Sequence, residues 1–355
     1  MRGGVSRLNG HTPNQARNEA PIFSHQMMSV SPSSAVKLRL GIGVELAAMK
    51  LIACLLFCLT PLLSFSQKAK VAKATVKLTT EPVQMREVVY KTTPQGELKL
   101  HVFSPGREAQ AAVQRPCVVF FFGGGWKSGS FKQFVPQAEY LASRGLVTAC
   151  ADYRILNEHK TLPDKAVEDA KSAIRWVRGH AAELGVDPGK IIAGGGSAGG
   201  HLAACTALVD AYDAEGDDKS ISAKPDAMVL FNPAMNIGTL HKERVTENQN
   251  GFTLEMAEAM TPNSFITKDT PPAILFFGTA DNLKLGGDEY VKKARALGLR
   301  AELWTAKEMP HGFFNKEPWI QVTTRKMDEF LASLGYLSGE PTIKLPEAAP
   351  SLASE

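Results

Sequence analysis

Ile191-Ile192-Ala193-Gly194-Gly195-Gly196-Ser197-Ala198-Gly199-Gly200-His201-Leu202-Ala203-Ala204 compresses an apolar strand, a sharp turn and the start of a helix into fourteen residues. A chain can reverse this tightly only where side chains are missing around the bend. Gly195 and Gly199 stand two residues to either side of Ser197, where a Cβ would collide as the backbone doubles back. Gly196 and Ala198 keep the immediate neighbours small. The Gly-x-Ser-x-Gly spacing leaves the serine hydroxyl at the junction of strand and helix, projecting outward. The pattern alone also fits a glycine-rich connection, so its context decides. Here an apolar strand precedes it and a helical run, Ala198 to Tyr212, follows it.

The surrounding chain repeats the same alternation. Arg86 to Thr93 and Glu97 to Phe103 read as a hairpin around Thr-Pro-Gln-Gly. Strands are predicted at Val118–Phe122, Leu146–Ala151, Lys190–Ala193, Ala227–Phe231, Ala273–Phe277 and Ala301–Thr305. Helices are predicted at Phe134–Ser143, Pro163–Leu184, Gly287–Leu297 and Glu317–Leu334. In the second of these, Ala166, Ala170, Ala173, Ile174 and Val177 form one apolar face, and Pro163 suits a first helical position. Strands this apolar, alternating with helices, are buried on both faces and therefore parallel. The fold class is α/β, with a mostly parallel sheet flanked by helices on both faces. Asn236 to Phe265 exceeds an ordinary connection and reads as a small cap over the strand ends, helical around Leu254–Met260. The domain is expected over residues 86–335, after a linker at 67–85. Residues 336–355, rich in Pro, Ser, Ala and Glu, are expected to be disordered.

The formal charge of +4 comes from the leader, since residues 67–355 hold 34 basic and 34 acidic side chains. A neutral body argues against a nucleic-acid partner. Residues 1–66 read as an N-terminal extension and signal peptide: Met49-Lys50 is a positive start, and Leu51 to Phe65 is apolar. Cleavage is expected between Ser66 and Gln67, giving an exported protein, periplasmic or extracellular, with no lasting membrane span. Translation could begin at Met1 or Met49. Leu51-Ile52-Ala53-Cys54 opens the apolar run instead of closing it, so lipid anchoring at Cys54 is not expected. Cys117, Cys150 and Cys205 remain in the body without metal-type spacing and read as buried small apolar residues.

A serine hydroxyl is a weak nucleophile that needs an adjacent base, and a histidine base needs an acid to orient it. Asp281 follows Ile274–Gly278 in a turn, and His311 follows the last strand in Met309-Pro310-His311-Gly312-Phe313-Phe314. Asp281 alone also fits a turn-starting aspartate, with Asp288 as the reserve acid. The order Ser, Asp, His, each after a strand, supports the joint reading. Phe120-Phe121-Phe122 runs into Gly123-Gly124-Gly125-Trp126, where bare backbone N–H groups can converge on an anion. Gly124 and Gly125, with the N–H of Ala198, are the expected oxyanion donors. A phosphate loop is the alternative, but neither a Gly-Lys-Ser/Thr ending nor Gly-x-Gly-x-x-Gly is present. Trp126 is assigned to the substrate pocket wall. His201 is read as a packing histidine.

Gly-Gly-Gly-Trp, Ala151-Asp152-Tyr153-Arg154, Gly-Gly-Ser-Ala-Gly-Gly, the Asp281 turn and His311-Gly312-Phe313 together resemble the hormone-sensitive-lipase-like and acetyl-esterase (BD-FAE-like) branch of the α/β-hydrolases. The resemblance runs from about Arg86 to Leu334. It implies a serine carboxylic-ester hydrolase without cofactor or metal, acting on short acyl esters, including acetyl groups on carbohydrates. It also implies a structural role for Tyr153 and Arg154. Two positions depart from the pattern. Phe122 stands where the branch usually has histidine, so packing must hold the glycine loop. Gly196 stands where many relatives have aspartate. Two rivals share the scaffold: a single-domain serine peptidase and a non-catalytic binding protein. Acyl length, the alcohol and the oligomeric state are not encoded in these motifs.

Overall fold

Nine strands form one sheet, and the apolar strands in its middle are buried from both sides. The computed structural model describes residues 82–106, 114–244 and 251–355. The expected leader, its cleavage site and most of the linker lie outside these residues. The strands are β1 (Gln84–Thr93), β2 (Gly96–Ser104), β3 (Arg115–Phe121), β4 (Val147–Ala151), β5 (Val186–Gly196), β6 (Ala227–Phe231), β7 (Ala273–Gly278), β8 (Ala301–Ala306) and β9 (Ala353–Ser354). Their spatial order is β1-β2-β4-β3-β5-β6-β7-β8-β9. The pairs from β4 through β8 are parallel, while β1–β2, β2–β4 and β8–β9 are antiparallel. The expected fold class, a mostly parallel sheet between helices, is what the chain adopts.

The register explains where chemistry can sit. Phe121 pairs with Gly195, Gly196 with Phe231, Phe231 with Phe276, and Gly278 with Ala306. The loops after β3, β5, β6, β7 and β8 therefore all leave the same edge of the sheet. That edge is the carboxyl end of parallel strands, where open α/β sheets bind ligands.

The helices are α1 (Val135–Ser143), α2 (Leu156–His159), α3 (Pro163–Gly179), α4 (Ala181–Leu184), α5 (Ala198–Leu208), α6 (Ile237–Arg244), α7 (Leu254–Ala259), α8 (Lys284–Ala296) and α9 (Trp319–Ser333). On one face, Ala166, Ala170 and Ile174 of α3, Leu202 of α5 and Tyr290 of α8 join the core. On the other, Leu141 of α1 and Phe330 and Leu331 of α9 pack with Phe120 and Phe231. Among the described residues between β6 and β7, the cap includes α6, α7 and a 3-10 turn at Pro262–Ser264. Thr253 caps α7 by accepting the Met256 N–H at 3.1 Å.

The serine helix ends at Leu208, short of Tyr212, and β5 begins at Val186, before Lys190; three further departures have physical reasons. The helix from Pro163 ends at Gly179, and α4 is a separate turn with a left-handed Gly185 behind it. Helix α8 begins at Lys284, one turn earlier than expected, and takes Gly286 and Gly287 inside it. Glycine disfavours helix interiors, but a Cβ on Gly287 would lie 2.3 Å from the Phe277 ring, so packing overrides propensity. The C-terminal tail, expected to be disordered, is instead placed against the domain. Leu337 is buried, Arg144 donates to the Gly339 carbonyl at 3.0 Å, and Ala353–Ser354 pair with β8. Composition misleads there because β8 otherwise offers an unpaired edge to any extended segment that reaches it.

Candidate active site

The bend at Ser197 is as tight as its glycines predict. Ser197 sits at φ 54°, ψ −116°, between β5 and α5, a conformation that costs about 1–3 kcal/mol and persists only under tertiary constraint. The Ser197 N–H donates to the Phe231 carbonyl at 2.8 Å. A Cβ on Gly199 would lie 2.0 Å from the Phe121 carbonyl oxygen, so the helix start can approach β3 only as glycine. At Gly196 the ring of Phe314 occupies the place of a side chain, with its Cζ 2.5 Å from an added Cβ. This is why aspartate, common there in the branch the motifs resemble, has no room in this chain.

The loops after β7 and β8 bring the two distant side chains to that bend. His311 Nε2 lies 2.9 Å from Ser197 Oγ. His311 Nδ1 lies 2.9 Å from Asp281 Oδ2. The loops are tied together by Ala280 N–H donating to the Met309 carbonyl at 3.1 Å and Glu308 N–H donating to Thr279 Oγ1 at 2.7 Å. Asp281 is buried. Burial disfavours its charge, but hydrogen bonds from His311, the Leu283 N–H and Asn232 outweigh that and hold its carboxyl below the ordinary value. The reserve acid, Asp288, instead pairs with Lys284 at 2.7 Å on α8.

The sequence reading missed Asn232. Its Nδ2 donates to Asp281 Oδ2 at 2.5 Å. The available signal was a polar residue closing the strand next to the serine strand. Gln133 and Asn315 were missed as well, and no local pattern marks them. Gly123 N–H donates to Gln133 Oε1 at 2.6 Å, and Gln133 Nε2 donates to Asn315 Oδ1 at 3.1 Å.

These bonds correct the expectation that packing alone holds the glycine loop. Phe122 does pack, stacked on Tyr153 with centroids 4.1 Å apart. Tyr153 Oη also donates to the Phe122 carbonyl at 2.7 Å. Arg154 is engaged by Asp169 through a two-pronged pair at 2.8 Å on each side. Gly124 and Gly125 have φ of +124° and +64°. Lys127 and Ser128 donate their N–H groups to the Gly124 carbonyl at 3.1 and 3.2 Å. Among the described residues, no backbone or side-chain acceptor takes the N–H of Gly124, Gly125 or Ala198.

A cavity of about 790 Å³ opens over these groups, lined by Gly125, Trp126, Ser197, Ala198, Asp281 and His311. Its walls are largely apolar, with Leu156, Leu162, Ala234 and Leu283 from the domain and Ile237, Leu240 and Phe252 from the cap. Trp126 lies in the cavity wall. Its ring meets His201 edge to face at 5.0 Å. His201 is fully buried, and its Nε2 lies 2.8 Å from the Met260 carbonyl at the end of α7. It joins the serine helix to the cap, far from the role of a base.

Burial pulls the His201 pKa down from 6.5 to about 4. The unfolded chain takes up this proton near pH 6.5, and the native state resists it until about pH 4. Stability is therefore fully present above pH 6.5 and falls by about 3 kcal/mol as the pH drops to 4. Urea unfolding of the parent and of His201→Gln across that range checks this. The variant should lose this part of the slope.

Comparison with known proteins agrees with the geometry. The BD-FAE family model matches residues 100–284. Carboxylesterase NlhH of Mycobacterium tuberculosis is 28% identical over 225 residues, 56% of this chain and 67% of that protein. A probable isoprenylcysteine alpha-carbonyl methylesterase, ICMEL1 of Arabidopsis thaliana, is 33% identical over 62% of this chain and 49% of its own length. Esterase 2 of the planctomycete Thermogutta terrifontis, solved with propionate, superimposes with a TM-score of 0.65 at 42% identity, over 72% of this chain and 96% of that one. An enzyme with ester-cleaving relatives replaces the peptidase and binding-scaffold rivals. By sequence, fold and kinship this chain belongs to the BD-FAE family of α/β-hydrolase esterases, and it is a carboxylic-ester hydrolase.

Proposed function

We propose that the enzyme cleaves esters of short acyl groups through a covalent acyl-enzyme on Ser197. The observation that carries this reading is the continuous Ser197–His311–Asp281 chain at 2.9 and 2.9 Å. His311 takes the serine proton as Oγ attacks the carbonyl carbon, then delivers it to the leaving alcohol. It next draws a proton from water, which attacks the acyl carbon; the bond to Ser197 Oγ breaks, His311 returns the proton to that oxygen, and the acid is freed. Asp281 holds the imidazole in the tautomer whose Nε2 accepts, and it stabilises the imidazolium. The N–H groups of Gly124, Gly125 and Ala198 receive the developing oxyanion, each donor of this kind being worth about 2.7–4 kcal/mol of barrier.

Two observations support a short acyl group with an apolar alcohol. The Thermogutta esterase was solved with propionate and with butyrate bound. Most of the cavity wall is apolar, with Trp126, Leu162, Ile237, Leu240 and Phe252 outweighing the polar Lys127, Thr161 and Asn282, which favours an apolar alcohol over a hydroxylated sugar. Acetylated carbohydrates are accordingly the second arm of the test. In a panel of p-nitrophenyl esters and acetylated sugars, acetate to butyrate should exceed octanoate in kcat/KM by about tenfold or more. Preference for octanoate or for the sugar acetates would reverse the assignment. Residues 49–66 support export with cleavage after Ser66. N-terminal sequencing of the mature protein is the check.

A further inference from the structure

We propose that Asn232 is a positioning residue for the Asp281–His311 pair: its amide fixes the carboxylate that orients the base, and so sets the acid limb of the pH–rate profile. The proposal rests on the triad reading above and adds a residue to it. Asn232 is fully buried, at the carboxyl end of β6. Its φ is +47°, a left-handed conformation that asparagine tolerates better than most residues. The backbone holds it there, since the Asn232 N–H donates to the Phe276 carbonyl at 2.7 Å. The residue before it, Phe231, accepts the Ser197 N–H. One dipeptide therefore touches both the nucleophile turn and the acid.

The bond pattern is selective. Asn232 Nδ2 reaches Oδ2, the same oxygen that faces His311 Nδ1, while the Leu283 N–H takes Oδ1 at 2.9 Å. With both donors on Oδ2, the carboxylate cannot rotate away from the imidazole without breaking two bonds. A donor on that oxygen also makes it a weaker proton acceptor, which limits how strongly it stabilises the imidazolium. The amide is used as a donor only, because Asn232 Oδ1 is buried without a hydrogen-bond partner among the described residues. A group kept for packing would not need a buried polar head with one end unanswered.

Other charges around the pair are few and already occupied. On α8, Lys284 pairs with Asp288 and with Glu355. In the loop before His311, Lys307 and Glu308 pair at the surface at 3.8 Å. Lys127 of the glycine loop also lines the cavity. Among the described residues none of these side chains hydrogen-bonds Asp281 or His311, and Asn232 is the polar side chain that touches the acid besides the base itself.

The test is the pH dependence of kcat/KM on p-nitrophenyl acetate for the parent, Asn232→Ala and Asn232→Asp, each normalised to sites titrated with a fluorophosphonate. Asn232→Asp is nearly isosteric, and because two buried carboxylates this close cannot both ionise, it keeps a proton near neutral pH and still donates to Oδ2. Its acid limb should stay close to that of the parent. Asn232→Ala removes the donor, and its limb should move to higher pH by about half a unit. Loss of folded protein alone lowers the number of titrated sites and leaves the limb in place. A limb coinciding with the parent in Asn232→Ala, or displaced equally in both variants, would overturn the proposal while leaving the triad intact. A parent that is not labelled at Ser197 would overturn the triad and the proposal together.

Discussion

Ser197→Ala should fold normally and lose turnover of p-nitrophenyl acetate by about 10⁴–10⁶-fold in kcat. In the proposed mechanism the hydroxyl forms the acyl bond, so its removal leaves only the oxyanion donors and binding to act on the ester. The fold should not notice, because among the described residues Ser197 Oγ makes one hydrogen bond, to His311, and the bend depends on Gly195, Gly199 and the Ser197 N–H. The substitution still leaves a non-glycine residue at positive φ, as in the parent. Circular dichroism and thermal melts should therefore overlay. A fluorophosphonate should label the parent and not the variant. Equal turnover by the two proteins would remove serine from the mechanism.

The second large effect is at Asp281. Asp281→Asn should lower kcat by about 10⁴-fold near neutral pH, with the geometry preserved. The carboxylate accepts from His311 Nδ1, Asn232 Nδ2 and the Leu283 N–H. An asparagine amide group turned towards Nδ1 would favour the tautomer whose proton sits on Nε2, facing Ser197 Oγ, where it cannot act as a base. The alternative amide orientation turns its NH₂ towards the Leu283 N–H, which is a donor. The pH behaviour distinguishes the acid from the base. The Asp281 pKa is held below 3.8 in the folded state. Its contribution to stability is therefore present above the unfolded value and is lost only as the pH falls through the lower folded one. Asp281 therefore stays ionised across the working range. Steady-state kinetics from pH 5 to 9 on parent and variant provide the measurement.

Much of the domain was legible because burial writes a local signature. The runs Val118–Phe121, Ala227–Phe231 and Ala273–Phe277 are apolar without alternation, and each is a fully buried parallel strand. Ser197 was legible for a similar reason, since the turn needs glycine at fixed offsets and the requirement is visible within five residues. Asp281 and His311 were found by chain order and by their place after strands. The tail misled because its polar composition says nothing about the vacant edge of β8 that receives Ala353–Ser354. Gly286 and Gly287 misled because helix propensity carries no information about the Phe277 ring above them.

Asn232, Gln133 and Asn315 mark the boundary between the two kinds of information. Each matters through a partner far along the chain: Asp281 for Asn232, and Gly123 for Gln133, which in turn is held by Asn315. By itself the sequence determined the alternation of strands and helices, the bend at Ser197 and the identity of the ester-cleaving family, because periodicity and turn geometry are satisfied by neighbours. Only the tertiary structure decided which polar side chains support the acid and the glycine loop, and that the tail docks. A hydrogen bond needs its two groups within about 3 Å, and only the parallel sheet, by aligning five strand ends on one edge, brings residues so distant in sequence that close.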